Sequence, residues 1–414
     1  MRLGRFATYL IRPTAIVATL VVTLQPASAQ DRSDTILSDP RPLALIEQMI
    51  ESPLKAKLRS CSGDPIRRTL FSISHRGAPL GYPEHTVEGY QAAAHMGAGI
   101  VECDVTFTSD KELVCRHAQN DLSTTTNILT TDLAKSCVGP FQPASAGTKA
   151  AAECRTSEIT LAEFHSLTGK RDGFDATALT AKDFQNGPVG PRLLQGANDT
   201  GILISHRESI SLFKSLGVKF TPELKSPAVT MPFDGFSQQD YAQKLIDAYK
   251  AEGVPASDVW VQSFDLKDIL YWIEHEPDFG AQAVYLDGRY SRGIDPNDPA
   301  TFKPSMADLK AMGVNYIAPP IWMLLTLRDD EIIPSAYAQD ARNAGLELIT
   351  WTLERSGPLN SGGGWYYQSV SEAIDGDGRL MEVLDVLAQD VGVVGVFSDW
   401  PATVSYYASC MGLK

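Results

Sequence analysis

One stretch of the sequence holds several side chains that could act on a phosphate ester. Paired histidines can transfer protons as acid and base, an arginine suits phosphate oxygens, and carboxylates suit a hard cation. Each of these side chains lies near the end of a predicted strand, where barrel enzymes place their functional groups. The residues are His75, Arg76, Glu102, Asp104 and His117.

Three carboxylates are the candidate ligands of one divalent cation. Glu102 and Asp104 are two residues apart on a predicted strand, so their side chains lie on the same face. Glu223 lies at the end of the next predicted barrel strand. Because these donors are all oxygens, the sequence predicts Ca²⁺ or Mg²⁺ as the bound ion.

A second group of residues is expected to bind the substrate. Arg76 and Lys225 are cations suited to phosphate oxygens, and Trp351 offers a flat apolar wall. Gln262 also ends a predicted strand, and its amide fits either a place beside the substrate or a buried structural role. Together with the two histidines, this set favours displacement at phosphorus.

Two other functions fit parts of the pattern. Paired carboxylates in a barrel also occur in glycosidases, where two carboxyl groups flank the scissile bond. A periplasmic protein that binds phosphodiesters without cleaving them is the non-catalytic alternative. Two histidines beside an arginine and a lysine suit a phosphate better than a neutral sugar, and binding alone needs no proton-transfer pair. Cleavage of a phosphodiester or phosphomonoester is therefore the leading hypothesis from the residues alone.

Strand-like and helix-like segments alternate along most of the chain. This alternation predicts a (β/α)8 TIM barrel, with a doubly wound open sheet as the alternative architecture. Several predicted helices are followed by glycine just before the next strand, as helix ends often are. The predicted strands cover residues 71–74, 100–106, 218–224, 259–264, 281–286, 314–318, 346–352 and 393–398.

The alternation is interrupted once, which sets the predicted domain organisation. Residues 71–117 form the first part of the barrel, and residues 206–414 form the remainder. Between them, residues 118–205 are rich in Ala, Thr, Gly and Pro and are expected to form an inserted small subdomain. Residues 30–70 form an N-terminal lead-in segment with one predicted helix at 43–58.

A hairpin is expected at the start of the insertion. Residues 113–117 follow the second strand too closely for a helical crossover, so residues 100–117 should fold as an antiparallel pair. A turn near Asp110 would bring His117 roughly opposite Glu102. The hairpin therefore places a histidine beside the predicted metal ligands.

The first 29 residues have the features of a secretory signal peptide. Arginines precede an apolar run at residues 14–24, which is too short to span a bilayer, and residues 27–29 form a small-residue cleavage site. Cleavage after about Ala29 would leave a periplasmic or secreted protein without a stable membrane anchor.

The overall charge argues against polyanionic partners. The formal net charge is −14, and the leader contains three arginines and no acidic residue, so its removal gives −17. A chain this acidic is not attracted to nucleic acid or anionic membranes by its overall charge. The expected partner is a small-molecule phosphodiester, and the sequence does not specify an oligomeric state.

The cysteine count is even, which favours disulfides in an exported protein. Six cysteines allow 15 connectivities. A bridge between Cys137 and Cys154 would staple a loop-rich stretch. A bridge between Cys61 and Cys410 would tie the two ends of the fold together.

The motifs in this chain resemble those of a known enzyme family. The run HRG…PEHT…ECDVTFTSDKELVCRH…DLSTTTNI is similar to the glycerophosphodiester phosphodiesterases, and the match suggests an exported bacterial-type member. The family pattern is HRG, a PENT-like turn, E-x-D, T-x-D and a strand that ends in histidine. The similarity continues through TPELKS, WVQSFD, ITWTLE and FSDWP, so it covers roughly residues 70–402.

The resemblance implies a TIM barrel that hydrolyses glycerophosphodiesters to an alcohol and sn-glycerol 3-phosphate. It implies one divalent cation, a general acid and base pair, and an arginine and a lysine at the phosphate. In this chain the implied metal ligands are Glu102, Asp104 and Glu223, the acid and base are His75 and His117, and the cations are Arg76 and Lys225.

The chain also departs from the family pattern. His85 replaces the usual asparagine of the PENT-like turn, Ala118 follows His117 where the family has aspartate, and the insertion is long. These changes leave the length and head group of the substrate open. A phospholipase D-like lyase that forms cyclic phosphates from lysolipids or sphingolipids is the alternative reaction.

Overall fold

The computed structural model describes residues 1, 4, 36–187 and 198–414. Apart from Met1 and Gly4, the predicted signal peptide lies outside the described residues and stays a prediction. Nowhere in the described ranges does a helix have the length and apolar character needed to cross a membrane.

Eight parallel strands form a barrel close to the positions that the sequence predicts. They are β1 (Thr69–Ser74), β2 (Ala98–Phe107), β3 (Lys219–Leu224), β4 (Gln262–Ser263), β5 (Val284–Leu286), β6 (Tyr316–Ala318), β7 (Glu347–Leu353) and β8 (Gly395–Ser398). The fourth strand is shorter than predicted, because Val259 makes only an isolated bridge to Phe220.

The barrel closes because β1 is paired along both of its edges. Ser72 lies beside Val396 of β8, and Ile73 lies beside Ile100 of β2. The other strands pair in chain order from β2 to β8. This closure confirms the TIM barrel and excludes the open doubly wound sheet.

Helices lie between the strands and cover the outside of the barrel. Several begin at a side chain that accepts a hydrogen bond from a backbone N–H of the first turn, as Thr86, Ser205, Ser237 and Ser305 do. The helices that alternate with the strands are Val87–His95, His206–Ser215, Gln238–Ala251, Leu266–His275, Met306–Ala311, Ala336–Asn343, Arg379–Asp385 and Pro401–Met411. Short helices Pro277–Gly280 and Ile321–Leu324 and the wider turn Val386–Val391 complete the barrel shell.

The N-terminal segment differs from its prediction. A single helix was expected at residues 43–58, but the structure has two helices, Arg41–Glu47 and Pro53–Ser60. Pro53 cannot donate a backbone hydrogen bond, and the Ser52 side chain caps the second helix by accepting from the Lys55 N–H. The chain therefore turns between the two helices.

The predicted hairpin after β2 is present. Strand Leu113–Cys115 pairs antiparallel with β2, with Val105 opposite Cys115. Extending this register places His117 opposite Cys103, one residue from the predicted position. The carboxylates of β2 and His117 are therefore held at the same end of the barrel.

The segment after the hairpin folds around its own apolar cluster. Its described part contains helices Leu122–Thr125, Leu161–His165 and Ala181–Gln185. It also contains two antiparallel strand pairs, Gly139–Gln142 with Ala151–Glu153 and Thr168–Lys170 with Thr200–Ile202. Leu122, Ile128, Phe164 and Phe184 are among the buried residues of this cluster, which is separate from the main core. The inserted subdomain at residues 118–205 stays a prediction.

All six cysteines form disulfides. The predicted bridges Cys137–Cys154 and Cys61–Cys410 are both present. The third bridge joins Cys103 on β2 to Cys115 on the hairpin strand. It therefore fixes the strand that carries two candidate metal ligands to the strand that leads to His117.

Candidate active site

The C-terminal ends of the strands surround a pocket of about 390 Å³. Eight of the nine predicted site residues line it, and the ninth, Asp104, lies in the carboxylate cluster beside it. The eight are His75, Arg76, Glu102, His117, Glu223, Lys225, Gln262 and Trp351. The strand-end rule therefore identified side chains that the fold brings together from six segments of the chain.

The three predicted ligands form one buried group. One oxygen each from Glu102, Asp104 and Glu223 lie within 4.8 Å of one another. This proximity follows from strand register, because Asp104 on β2 lies beside Glu223 on β3, which lies beside Gln262 on β4. All three carboxylates are at least nine-tenths buried.

Hydrogen bonds fix the orientation of the carboxylates. The Arg76 backbone N–H donates to Glu102 Oε2 at 2.9 Å, and Gln262 Nε2 donates to Glu102 Oε1 at 2.9 Å. His85 Nε2 lies 2.8 Å from Asp104 Oδ2. Asp104 Oδ1 is buried and has no hydrogen-bond partner among the described residues. A buried carboxylate oxygen without a donor is an available ligand.

The pKa values of the three carboxylates are shifted in different directions. Burial and the neighbouring Asp104 and Glu223 raise the pKa of Glu102 well above its usual range. Burial raises the pKa of Glu223 to about 8, although Lys225 opposes this shift. Burial also disfavours ionised Asp104, but Lys225 and His85 outweigh it and hold the Asp104 pKa well below its usual range. Three buried carboxylates at this spacing fit one hard divalent cation.

His75 is oriented by a carboxylate that the sequence analysis did not single out. Its Nδ1 lies 2.6 Å from Oδ1 of Asp399, the residue that directly follows β8. With Asp399 accepting the Nδ1 proton, Nε2 keeps a lone pair. Burial and the Arg76 charge lower the pKa of His75 to about 4, although Asp399 acts in the opposite direction. The ring is therefore a neutral imidazole at neutral pH.

A chain of alternating charges connects Asp399 to Arg76. Arg355 Nη1 lies 3.0 Å from Asp399 Oδ2, and Arg355 Nη2 lies 2.9 Å from Glu84 Oε1. The other Glu84 oxygen is 2.9 Å from Arg76 Nη1. Glu84 therefore contacts both arginines and holds Arg76 in place. Although burial raises the pKa of Glu84, Arg76 and Arg355 outweigh it and keep that pKa well below its usual range.

The second histidine faces the same pocket from the hairpin. Burial, Arg76 and Lys225 together lower the pKa of His117 well below its usual value. Lys225 Nζ is also 2.6 Å from Glu223 Oε1, so the same lysine contacts the carboxylate group and lowers the pKa of His117. Arg76 and Lys225 thus supply positive charge around the space between the two imidazoles.

A tight turn at the end of β1 places His75 and Arg76. Arg76 has a φ of 55° and Gly77 has a φ of 92°, so two successive residues adopt the left-handed region. A side chain at Gly77 would meet the Gly89 backbone at 3.0 Å. Glycine after the His-Arg pair is therefore required by both the backbone conformation and the close helix.

Sequence reasoning missed three contributors to the site. Asp399 and Arg355 follow the neighbouring strands β8 and β7, so the strand-end rule could have found them, although their pairing has no signal in the sequence. His85 was noted only as a departure from a family motif. In the structure it is fully buried between Asp104 and the Tyr90 hydroxyl, 2.8 Å from each.

Known proteins share the sequence and the fold. The model of the glycerophosphoryl diester phosphodiesterase family matches residues 75–403. A protein named "Extracellular protein" from Arthroderma benhamiae is 45% identical over 247 residues, which are 58% of this chain and 100% of that protein. A glycerophosphodiester phosphodiesterase from Bacillus subtilis is 34% identical over 85 residues, which are 20% of this chain and 28% of that protein.

A solved structure shows the same fold at low sequence identity. The crystal structure of a Silicibacter pomeroyi protein assigned as a glycerophosphoryl diester phosphodiesterase has a TM-score of 0.53 and 20% identity. The match covers 87% of this chain and 99% of that one. The family model covers the barrel from the end of β1 through β8 and contains every residue of the pocket described above, so this chain belongs to the glycerophosphoryl diester phosphodiesterase family.

Proposed function

We propose that this chain hydrolyses glycerophosphodiesters to an alcohol and sn-glycerol 3-phosphate with the help of one divalent cation. The observation that carries the proposal is the composition of one pocket, in which two imidazoles, two carboxylates, an arginine and a lysine converge, with Asp104 beside them. Family membership and the name of the Bacillus subtilis relative support the same reaction.

Glu102, Asp104 and Glu223 would hold the cation, either Ca²⁺ or Mg²⁺. A divalent ion at this position would polarise a phosphoryl oxygen and offset the negative charge that develops during displacement. Arg76 and Lys225 bind the remaining phosphate oxygens from the adjacent wall. Gln262 orients Glu102 through its amide, and Trp351 borders the apolar side of the substrate.

The two histidines act as general base and general acid. His75 accepts the proton of the attacking hydroxyl at Nε2, and Asp399 stabilises the imidazolium that forms. His117 donates a proton to the leaving alcohol. A bound phosphodiester anion offsets the charges of Arg76 and Lys225, which otherwise disfavour the protonated form of His117.

We also propose that the protein is exported. Three disulfides are typical of proteins from oxidising compartments. The Arthroderma benhamiae relative is named as an extracellular protein. The basic and apolar leader of the sequence supports the same conclusion, with cleavage after about Ala29.

The test is the product formed from glycerophosphocholine, followed by phosphorus NMR. Hydrolysis gives glycerol 3-phosphate, whereas a lyase gives a cyclic phosphate that accumulates. His75→Ala and His117→Ala should each abolish turnover while circular dichroism shows an intact fold. Activity retained in both variants would contradict the assignment of the histidines, and no product from any glycerophosphodiester would contradict the proposed reaction.

A further inference from the structure

The strand ends divide into a charged half and an aromatic half. β8, β1, β2 and β3 supply the charged side chains of the pocket, including Asp399, His75, Glu102 and Glu223. The strands and loops from β4 to β7 present mainly aromatic rings, although Gln262 and Arg355 also come from this half. A phosphate fits the first half, and the second half has no role in binding it.

Six aromatic rings from four loops form a continuous surface, which we call the aromatic shelf. Trp351 and Trp365 stack with ring centroids 5.8 Å apart and planes 26° apart. The other rings join these two through centroid distances between 5.0 and 6.5 Å. The shelf consists of Phe264, Tyr290, Trp322, Trp351, Trp365 and Tyr366.

The shelf begins inside the pocket and ends at the protein surface. Phe264, Trp351 and Tyr366 line the pocket directly. Trp365 is 42% exposed, so the outer end of the shelf reaches solvent. An apolar path therefore leads outward from the space between the histidines.

The rings are held in place by buried neighbours. Tyr367, next to Tyr366, is fully buried, and Trp351 Nε1 donates to the Ala318 carbonyl at 2.8 Å. The loop that carries Tyr290 is fixed by a buried ion pair, with Arg289 Nη2 2.7 Å from Asp287 Oδ2. A preformed apolar surface that is partly exposed is typical of a binding site.

Local charge argues against a cationic ligand on the shelf. Lys225 Nζ lies 6.0 Å from the centroid of the Phe264 ring, so the inner end of the shelf already faces a cation. One face of Trp351 and one face of Trp365 are turned toward each other, so these two faces are not open to an ammonium group. Apolar contact is therefore the interaction that the shelf favours.

We propose that the aromatic shelf binds an acyl or alkyl chain, so that the preferred substrates are lysophospholipid-type glycerophosphodiesters. The proposal rests on the proposed phosphodiesterase function and names its substrate class. Hydrolysis would break the bond between phosphorus and the head-group oxygen. The hydroxyl of water joins phosphorus and its proton goes to the released alcohol, which leaves a lysophosphatidate.

The test compares glycerophosphocholine with lysophosphatidylcholines of increasing chain length, each below its micelle concentration. The expected result is a rise in kcat/KM with chain length, by up to about fourfold per methylene for the carbons that reach the shelf. Trp365→Ala should lower the ratio of kcat/KM for the decanoyl substrate to that for glycerophosphocholine by about tenfold or more. Trp365→Leu should recover part of this ratio because it keeps apolar area.

The matched control is Phe174→Ala, which removes a similarly exposed ring outside the shelf and should leave the ratio unchanged. A kcat/KM that does not rise with the length of the acyl chain would overturn the proposal. The proposal would also be overturned if Trp365→Ala changed the preference for choline over ethanolamine head groups by the same factor at every acyl-chain length. The rings would then recognise an ammonium group.

A binding measurement separates this proposal from the reaction itself. Dodecylphosphocholine should quench or shift the fluorescence of the wild-type protein, and Trp365→Leu should weaken its affinity. Binding without turnover of any substrate would refute the reaction and keep the shelf. Turnover of glycerophosphocholine without chain binding would refute the shelf and keep the reaction.

Discussion

At the scale of single residues, Asp399 determines which nitrogen of His75 faces the substrate. The 2.6 Å contact to Nδ1 leaves Nε2 as the acceptor, and Arg355 holds the other Asp399 oxygen. The carboxylate thus fixes both the tautomer and the ring orientation of the proposed base.

Asp399→Asn keeps the shape of this side chain but removes its charge and one acceptor. We expect kcat for glycerophosphocholine to fall by about 100-fold with little change in KM, because Asp399 is not among the residues that line the pocket. Steady-state kinetics check this prediction. Asp375→Asn, an exposed site paired with Arg379, is the control and should behave as wild type. Equal loss in both variants would rule out an orienting role.

A buried histidine outside the pocket sets part of the acid stability. His206 is fully buried against Tyr249 and the Cys103–Cys115 disulfide, and burial lowers its pKa to about 3. The unfolded chain, with a pKa near 6.5, therefore binds a proton between pH 6.5 and 3 while the folded protein does not. The free energy of unfolding falls as pH is lowered through this window.

His206→Leu should flatten that dependence. We expect the free energy of unfolding of the wild type to lose about 1.4 kcal/mol more per pH unit than that of the variant between pH 6 and 4. Urea unfolding at several pH values measures the slopes. His275→Leu should keep the wild-type slope because its ring is already half-exposed in the folded protein. Identical slopes for wild type and His206→Leu would show that His206 does not control this window.

At the scale of elements, the N-terminal segment supports the active site from behind. Asp39 Oδ2 accepts from Trp400 Nε1 at 3.1 Å, next to Asp399. Arg41 Nε lies 2.5 Å from Glu354 Oε2, next to Arg355. Both ends of the Asp399–Arg355 ion pair are thus adjacent to residues held by the lead-in segment.

Arg41→Ala should weaken both stability and turnover. It leaves the Glu354 carboxylate buried without its cation, so we expect the free energy of unfolding to fall by about 2 kcal/mol and kcat to fall several-fold. Chemical denaturation and kinetics measure the two effects. Arg41→Lys should restore part of each. Arg59→Ala removes only exposed ion pairs and should change neither quantity. An unchanged kcat in Arg41→Ala would show that the lead-in segment does not support the site.

The same elements show which features the sequence can predict. Strand positions and strand-end residues such as Glu223 follow from local patterns, because apolar runs and glycines repeat with each β/α unit. The Asp399–His75 and Arg355–Glu84 pairs join residues hundreds of positions apart, and no local pattern encodes them. The sequence predicts a longer β4 than the structure has, because an apolar run does not specify how many of its residues pair with the neighbouring strands.

At the scale of the whole molecule, two disulfides have different consequences. Cys61–Cys410 joins residues 349 positions apart at the two ends of the fold, and neither cysteine lines the pocket. Cys103–Cys115 closes a loop of 12 positions, but it lies beside Glu102, Asp104 and the approach to His117. The length of the loop that a disulfide closes should determine how much it adds to the free energy of unfolding. Its distance from the pocket should determine how much its removal lowers kcat.

The paired alanine variants test this separation. Removing Cys61–Cys410 should lower the free energy of unfolding by on the order of 5 kcal/mol at unchanged kcat. Removing Cys103–Cys115 should cost about 3 kcal/mol and also lower kcat, because the hairpin that holds His117 is released. Denaturation and kinetics on both variants provide the comparison. A larger loss of stability in the Cys103–Cys115 variant, or a larger loss of kcat in the Cys61–Cys410 variant, would contradict this separation.

The barrel completes the site only when β2 and β3 meet. The β2 hairpin supplies Glu102, Asp104 and His117, and Glu223 follows the insertion on β3. The central claim is that this assembled carboxylate group binds a divalent cation that glycerophosphodiester hydrolysis requires. Glu223→Gln keeps the size of the third side chain and removes its charge.

The most direct test is release of glycerol 3-phosphate from glycerophosphocholine by chelator-treated protein, with Ca²⁺ or Mg²⁺ then added back. The account predicts no release after chelation, full recovery with one of the two ions, and at least a tenfold higher ion concentration for half-recovery in Glu223→Gln. Full activity in metal-free wild-type protein would contradict the claim.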